Sequence, residues 1–158
     1  MSDRPATAEP IRVIFVCTHN SARSVMAEAL LRRHGGSRFE VVSAGVEPGA
    51  VRPMTLRVLQ EAGLETAGLH SKSVGEFIGQ PFNYVITVCD QARQVCPVFP
   101  GGRRTLHWGY PDPSEATGTE EEQLAAYRSV FTALAERIAI FVTLAERERG
   151  TSTATATG

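Results

Sequence analysis

The octet Cys17-Thr18-His19-Asn20-Ser21-Ala22-Arg23-Ser24 sets a thiol six residues before a guanidinium, with a hydroxyl next to it. This combination suits nucleophilic attack on a tetrahedral oxyanion. If the loop leads into a helix, the backbone N–H groups of Thr18, His19, Asn20, Ser21, Ala22, Arg23 and Ser24 can curl around the anion, helped by the helix dipole. The fork of Arg23 matches two oxyanion oxygens better than an ammonium would. The same field is expected to lower the pKa of Cys17 and supply a thiolate, to which Ser24 can donate a hydrogen bond. Asn20 suits a left-handed loop position. With fifteen arginines and three cysteines in the chain, the Cys–Arg spacing alone carries little weight. The following Ser24, and a strand before and helix after the loop, give it meaning.

Three further residues have types that fit such chemistry. Asp112, one of only three aspartates, stands between Pro111 and Pro113, which stiffen its loop. Cys89 and Cys96 lie seven residues apart, Cys96 directly before Pro97. Lys72 is the only lysine. His34, His70 and His107 form no zinc-like spacing with the cysteines, and His19 receives no role. Trp108 reads as a packing residue.

The elements that must position these groups follow from periodicity. Ile11–Cys17 is a nearly continuous β-branched, apolar run, a strand buried on both faces. Ser24 opens a helix with Val25, Met26, Ala29 and Leu30 on one face, ended by Gly35-Gly36. Phe39–Ala44 and Phe82–Val88 read as strands, and Arg104–His107 as a short fourth. Pro53–Ala62 reads as a helix, and Ser73–Gly79 as one or two helical turns. Thr119 and Glu122 form a capping box ahead of a long amphipathic helix carrying Leu124, Tyr127, Phe131, Leu134, Ile138, Phe141 and Ala145. The alternation predicts an α/β three-layer sandwich with a small, mainly parallel four-stranded sheet. In such sheets ligands bind beyond the carboxyl ends of the strands, where Cys17 and Cys89 both fall.

The 158 residues predict one domain over 11–146, with a flexible N-terminus at 1–10 and a disordered tail at 147–158. A net charge of −1 gives no basic field for nucleic acid or membrane. No apolar run has the length of a bilayer span and no secretory signal opens the chain, so a cytoplasmic location is expected. There, three cysteines argue for reactive or incidental thiols rather than a disulfide framework.

The order of motifs resembles the low-molecular-weight protein tyrosine phosphatase fold and, within it, the thioredoxin-coupled arsenate reductases. The resemblance is carried by the octet, Ser43-Ala44-Gly45, Val88-Cys89, Cys96-Pro97, His107-Trp108-Gly109 and Asp112-Pro113. It implies Cys17 as nucleophile, Asp112 as general acid, and a Cys17/Cys89/Cys96 disulfide relay regenerated by thioredoxin as external reductant. It implies arsenate as substrate, with phosphate or sulfate as competing anions, no bound cofactor and a monomer. The alternative is a phosphatase of the same fold, hydrolysing phosphomonoesters through a Cys17 phosphocysteine; a binding module with vestigial chemistry is a third class. Some family members hold a potassium ion through an Asn, a Glu, a Ser and an Asp. Asn20, Glu28 and Ser43 match the first three, whereas Lys72 falls at the fourth, so its ammonium is expected in the ion's place. The extra loop cysteine common in the reductases is Ala22 here.

Overall fold

Strand β1 (Ile11–Cys17) is buried on both faces, as its unbroken apolar run demands, and it runs through the middle of the molecule. The computed structural model describes residues 9–89 and 100–157, with side chains as far as Arg149. β1 is flanked by β2 (Phe39–Gly45) on one side and β3 (Phe82–Thr87) on the other, and β4 (Gly102–His107) forms the outer edge beyond β3. All pairings are parallel and the order is β2-β1-β3-β4. The α/β fold with a four-stranded parallel sheet is the one the sequence predicts. Because the chain steps from β1 to β2 and then back across β1 to β3, the topological switch lies between β1 and β3, the place where such sheets bind ligands.

The register puts the chemistry there. Cys17 pairs with Gly45, and Val16 faces both Ala44 and Thr87. Val88 N donates to Val16 O at 2.9 Å, which carries the ladder on to Cys89 at the same sheet edge as Cys17.

Helix α1 (Arg23–Gly35) packs against β2 and against the last helix, α3 (Glu120–Thr157); α2 (Pro53–Glu61) also meets α3. The seam of α3 is apolar where it meets the sheet. Phe141 contacts the rings of Phe39, Tyr84 and Trp108, and Trp108 in turn meets Phe15. Trp108 is 4% exposed, the packing role expected of it. The capping box starts α3 as predicted: Thr119 N donates to Glu122 Oε1 at 3.0 Å and Glu122 N to Thr119 Oγ1 at 3.1 Å.

The helix departs from the sequence expectation at its far end. Its apolar seam stops at Ala145, yet the backbone stays helical to Thr157 through the stretch expected to be an unstructured tail. Once a long helix is nucleated, each added residue costs little, so a stretch without an apolar face can continue it. Of the predicted flexible N-terminus at 1–10, residues 1–8 lie outside the described residues. Among the described residues, no helix is long and apolar enough to cross a membrane.

Candidate active site

The loop after β1 is built by its carbonyls. Those of Cys17, Thr18, His19 and Ser21 accept from Val46 N (3.0 Å), Glu47 N (2.7 Å), Gly49 N (3.0 Å) and Arg52 N (3.0 Å). Ser71 Oγ and Thr55 Oγ1 add second donors to the His19 and Ser21 carbonyls, at 2.8 and 2.9 Å. In a planar trans peptide, a carbonyl held outward aims the next N–H inward. The amides of Thr18, His19, Asn20 and Ala22 therefore face the inside of the loop. In agreement, Asn20 N lies 3.2 Å from Cys17 Sγ. The following residue, Arg23, opens α1, whose first N–H groups have no partner within the helix. Gly45 makes the close approach of the two segments feasible: a Cβ there would lie 2.9 Å from Asn20 N, His19 C and Thr18 O.

Asn20 holds the turn at φ 52°, the left-handed conformation anticipated for it, and is fully buried. Its Oδ1 accepts from Lys72 N at 2.8 Å, which fixes the amide orientation. Its Nδ2 then donates one hydrogen to Ser24 Oγ (2.8 Å) and the other to Ser43 Oγ (2.9 Å). Ser43 passes its own hydrogen to Glu28 Oε1 at 2.5 Å. Ser24 Oγ, which accepts from Asn20, lies 2.8 Å from Cys17 Sγ, and its remaining hydrogen can be donated to the sulfur when that is a thiolate.

Glu28 is a buried carboxylate, 1% exposed, on the face of α1 behind the loop. Arg32 Nη2 lies 2.5 Å from it and Lys72 Nζ 3.6 Å; the ammonium also donates to His70 O at 2.9 Å. Lys72 is thus turned inward, with its side chain 10% exposed, toward the Glu28–Ser43–Asn20 group that the sequence singled out.

A cleft of about 600 Å³ opens over the loop, lined by Thr18, His19, Arg23, Cys89, Asp112 and Glu115 among others. Arg23 reaches across it: Nη1 donates to Tyr110 O at 3.0 Å and Nη2 lies 3.5 Å from Asp112 Oδ2. Asp112 Oδ1 caps a short turn, accepting from Ser114 N (2.9 Å) and Ser114 Oγ (2.7 Å). Burial works against ionisation of Asp112. The Ser114 hydrogen bonds, with the charges of Arg23 and Arg52, outweigh it and hold the carboxyl below the ordinary aspartate value. The resting Asp112 is therefore a carboxylate. Cys89 also lines this cleft, and its Sγ lies 3.1 Å from Thr18 Oγ1.

One electrostatic expectation is corrected. The sequence predicts a lowered thiol pKa for Cys17. In the structure burial pushes it up, and the hydrogen bonds of Ser24 and Asn20 recover only part of that shift. Desolvation wins because Cys17 is only 2% exposed at the foot of the loop.

Cys96 lies outside the described residues. His34 and His70 are exposed, and His107 is tied to Thr87 Oγ1 at 2.8 Å on the β3–β4 edge. Among the described residues no group of His, Cys, Asp and Glu could hold a metal ion. Two cleft features had no sequence signal: the Tyr110 carbonyl that receives Arg23, and the side chain of His19. Backbone acceptors are invisible to motif reasoning, and nothing in an amino-acid string says which way a loop histidine turns.

The chain matches the low molecular weight phosphotyrosine protein phosphatase family over residues 12–150. It is 36% identical over 129 residues to an arsenate reductase of Halalkalibacterium halodurans, covering 82% of this chain and 93% of that one. Among solved structures it resembles an arsenate reductase in the phosphate-binding state, with TM-score 0.73, 26% identity and coverage of 84% and 97%. A thioredoxin-dependent arsenate reductase of Corynebacterium glutamicum superposes with TM-score 0.59 at 28% identity, covering 85% of this chain and 65% of that one. By sequence match over most of its length, the chain belongs to the low molecular weight phosphotyrosine protein phosphatase family.

Proposed function

We propose that the protein is an arsenate reductase that passes electrons through Cys17, Cys89 and Cys96 and is regenerated by thioredoxin. The observation that carries this reading is the second thiol in the cleft: Cys89, hydrogen-bonded to Thr18 one residue from the nucleophile. Hydrolysis of a phosphoester has no use for it. The arsenate reductase and thioredoxin-dependent arsenate reductase relatives support the same choice.

The oxyanion enters the ring of amides and takes Arg23 as a bidentate partner. This has two effects on protonation. The Cys17 thiol, held up by burial, can pass its proton to the bound anion as it attacks. Asp112 loses part of its ion pair with Arg23 and gains a negative neighbour, so its proton affinity rises at the moment a proton donor is needed. Attack of Cys17 Sγ on arsenic forms the S–As bond, and one arsenic–oxygen bond breaks; the proton that Cys17 gave the anion reaches the departing oxygen by way of Asp112, a carboxylate at rest, and water leaves. Cys89 then attacks Cys17 Sγ. The S–As electron pair stays on arsenic, which leaves as arsenite, two electrons richer; the thiols are oxidised to a Cys17–Cys89 disulfide. Attack of Cys96 on Cys89 expels Cys17 as its thiolate and moves the disulfide outward to Cys89–Cys96, which thioredoxin reduces back to two thiols.

Glu28 and Lys72 support the loop in this scheme. The Lys72 ammonium supplies the positive charge that a potassium ion supplies in some relatives, and it does so without a free ion. No bound cofactor is needed, and the protein acts as a cytoplasmic monomer, with phosphate and sulfate as competing anions.

The decisive experiment is arsenate-dependent NADPH oxidation in the presence of thioredoxin and thioredoxin reductase, run beside p-nitrophenyl phosphate hydrolysis. Reductase turnover with slow hydrolysis is expected. Fast hydrolysis without arsenate-dependent NADPH consumption assigns the protein to the phosphatases instead.

A further inference from the structure

His19 has no part in the chemistry above, yet it lines the cleft beside Arg23, Asp112 and Cys89. Its backbone is fixed, with the carbonyl accepting from Gly49 N at 3.0 Å and Ser71 Oγ at 2.8 Å. Its ring is exposed and tethered at one nitrogen, with Nδ1 2.9 Å from the carbonyl oxygen of Glu47. A carbonyl can only accept, so Nδ1 carries the hydrogen, and in the neutral ring Nε2 is left with a lone pair.

The remainder of the anion shell consists of donors: the inward amides and the guanidinium of Arg23. Donors alone discriminate poorly between oxyanions of equal size and charge. A lone-pair acceptor at the rim can discriminate, because it rewards an anion that carries a hydrogen. Above their second ionisation arsenate and phosphate are dianions with one O–H, whereas sulfate is a tetrahedral dianion with none. The carboxylates of Asp112 and Glu115 also line the cleft; Ser114 holds Oδ1 of Asp112, while Oδ2 of Asp112, paired with Arg23 at rest, is the rival acceptor that the test separates from His19.

We propose that Nε2 of His19 accepts a hydrogen bond from the O–H of the bound oxyanion, and so makes the site select hydrogen-bearing dianions, arsenate and phosphate, over sulfate. This rests on the loop being the oxyanion site of the proposed function, and not on the redox steps.

The test is calorimetric titration of the reduced protein with inorganic phosphate and with sulfate, at matched ionic strength and at a pH where both are dianions. The wild-type protein should prefer phosphate by about fivefold or more, the size of one net hydrogen bond. In His19→Asn the amide can still donate to Glu47 O, but no atom stands where Nε2 was, so the preference should collapse while sulfate affinity holds. His19→Gln, whose amide oxygen reaches the Nε2 position, should restore it, and Asp112→Asn should leave it standing. A preference that survives in His19→Asn overturns the proposal, as does one that vanishes in Asp112→Asn alone. Binding of neither anion by the wild-type protein overturns it together with the oxyanion site. A protein inert as a reductase that still shows the His19-dependent preference keeps this inference and loses the redox assignment.

Discussion

Thr18 Oγ1 and Cys89 Sγ are 3.1 Å apart although 71 residues separate them in the chain. The parallel pairing of β1 with β3 produces the contact by bringing the ends of the two strands level. The hydroxyl holds the second thiol beside the loop and can stabilise its thiolate. Thr18→Val keeps the side-chain shape and removes the hydroxyl. In single-turnover assays it should slow arsenite release by about fivefold, the worth of one hydrogen bond, while phosphate affinity stays near wild type. An unchanged release rate removes Thr18 from the second step.

The cysteine variants separate the steps of the relay. Cys17→Ser should abolish all turnover, because an alcohol is far less acidic than a thiol. Cys89→Ser should release no arsenite above background. Cys96→Ser should release about one arsenite per enzyme and stop as a Cys17–Cys89 disulfide, seen by peptide mapping after thiol blocking. Sustained turnover by Cys96→Ser would leave a two-cysteine enzyme.

Ser24→Ala removes the donor that partly offsets the burial of Cys17. Alkylation of Cys17 by iodoacetamide should rise with pH, with a midpoint above the ordinary thiol value of about 8.5, and the variant should move that midpoint higher still. The linked stability has a definite sign. A raised thiol pKa contributes stability that is fully present below the unfolded value and is lost as pH climbs through the folded one. Asp112 acts in the opposite sense. Its lowered pKa contributes stability present above the unfolded value of about 3.9 and lost as pH falls through the folded value. Urea titrations of Asp112→Asn and wild type should therefore converge in acid.

Lys72→Met leaves Glu28 buried with Arg32 and Ser43 but without the ammonium. A buried charge that loses one of several partners should cost about 2 kcal/mol, less than the 3–5 kcal/mol for a fully orphaned one. That corresponds to a fall in Tm of about 4–8 °C for a chain of this length. Wild-type activity should not change when potassium replaces sodium at fixed ionic strength. The variant should gain from potassium, and potassium activation of the wild type would refute the substitution.

Much of this fold was legible because its signals are local. The β-branched run of Ile11–Cys17, the Gly35-Gly36 stop and the Thr119 capping box each announce an element, and their alternation leaves few topologies. Asn20 could be assigned its left-handed turn from residue type alone. The thiol pKa of Cys17 could not be judged in the same way. Its sign depends on how deeply Cys17 sinks beneath the loop, a consequence of packing that no spacing encodes. The end of α3 was misjudged for a related reason: composition reports whether a segment can bury a face, not whether a helix already under way will carry it along.

The outward carbonyls of the loop have a consequence for evolution. Peptide amides do not titrate and are present whatever the side chain, so most of the attraction for an anion is written in the path of the backbone. The side chain of Ser21 is thereby released from binding duty, while the positions that keep the path, Gly45 and Asn20, are not. A lineage can exchange what happens after capture, hydrolysis or reduction, by placing or deleting thiols around an unaltered receptor.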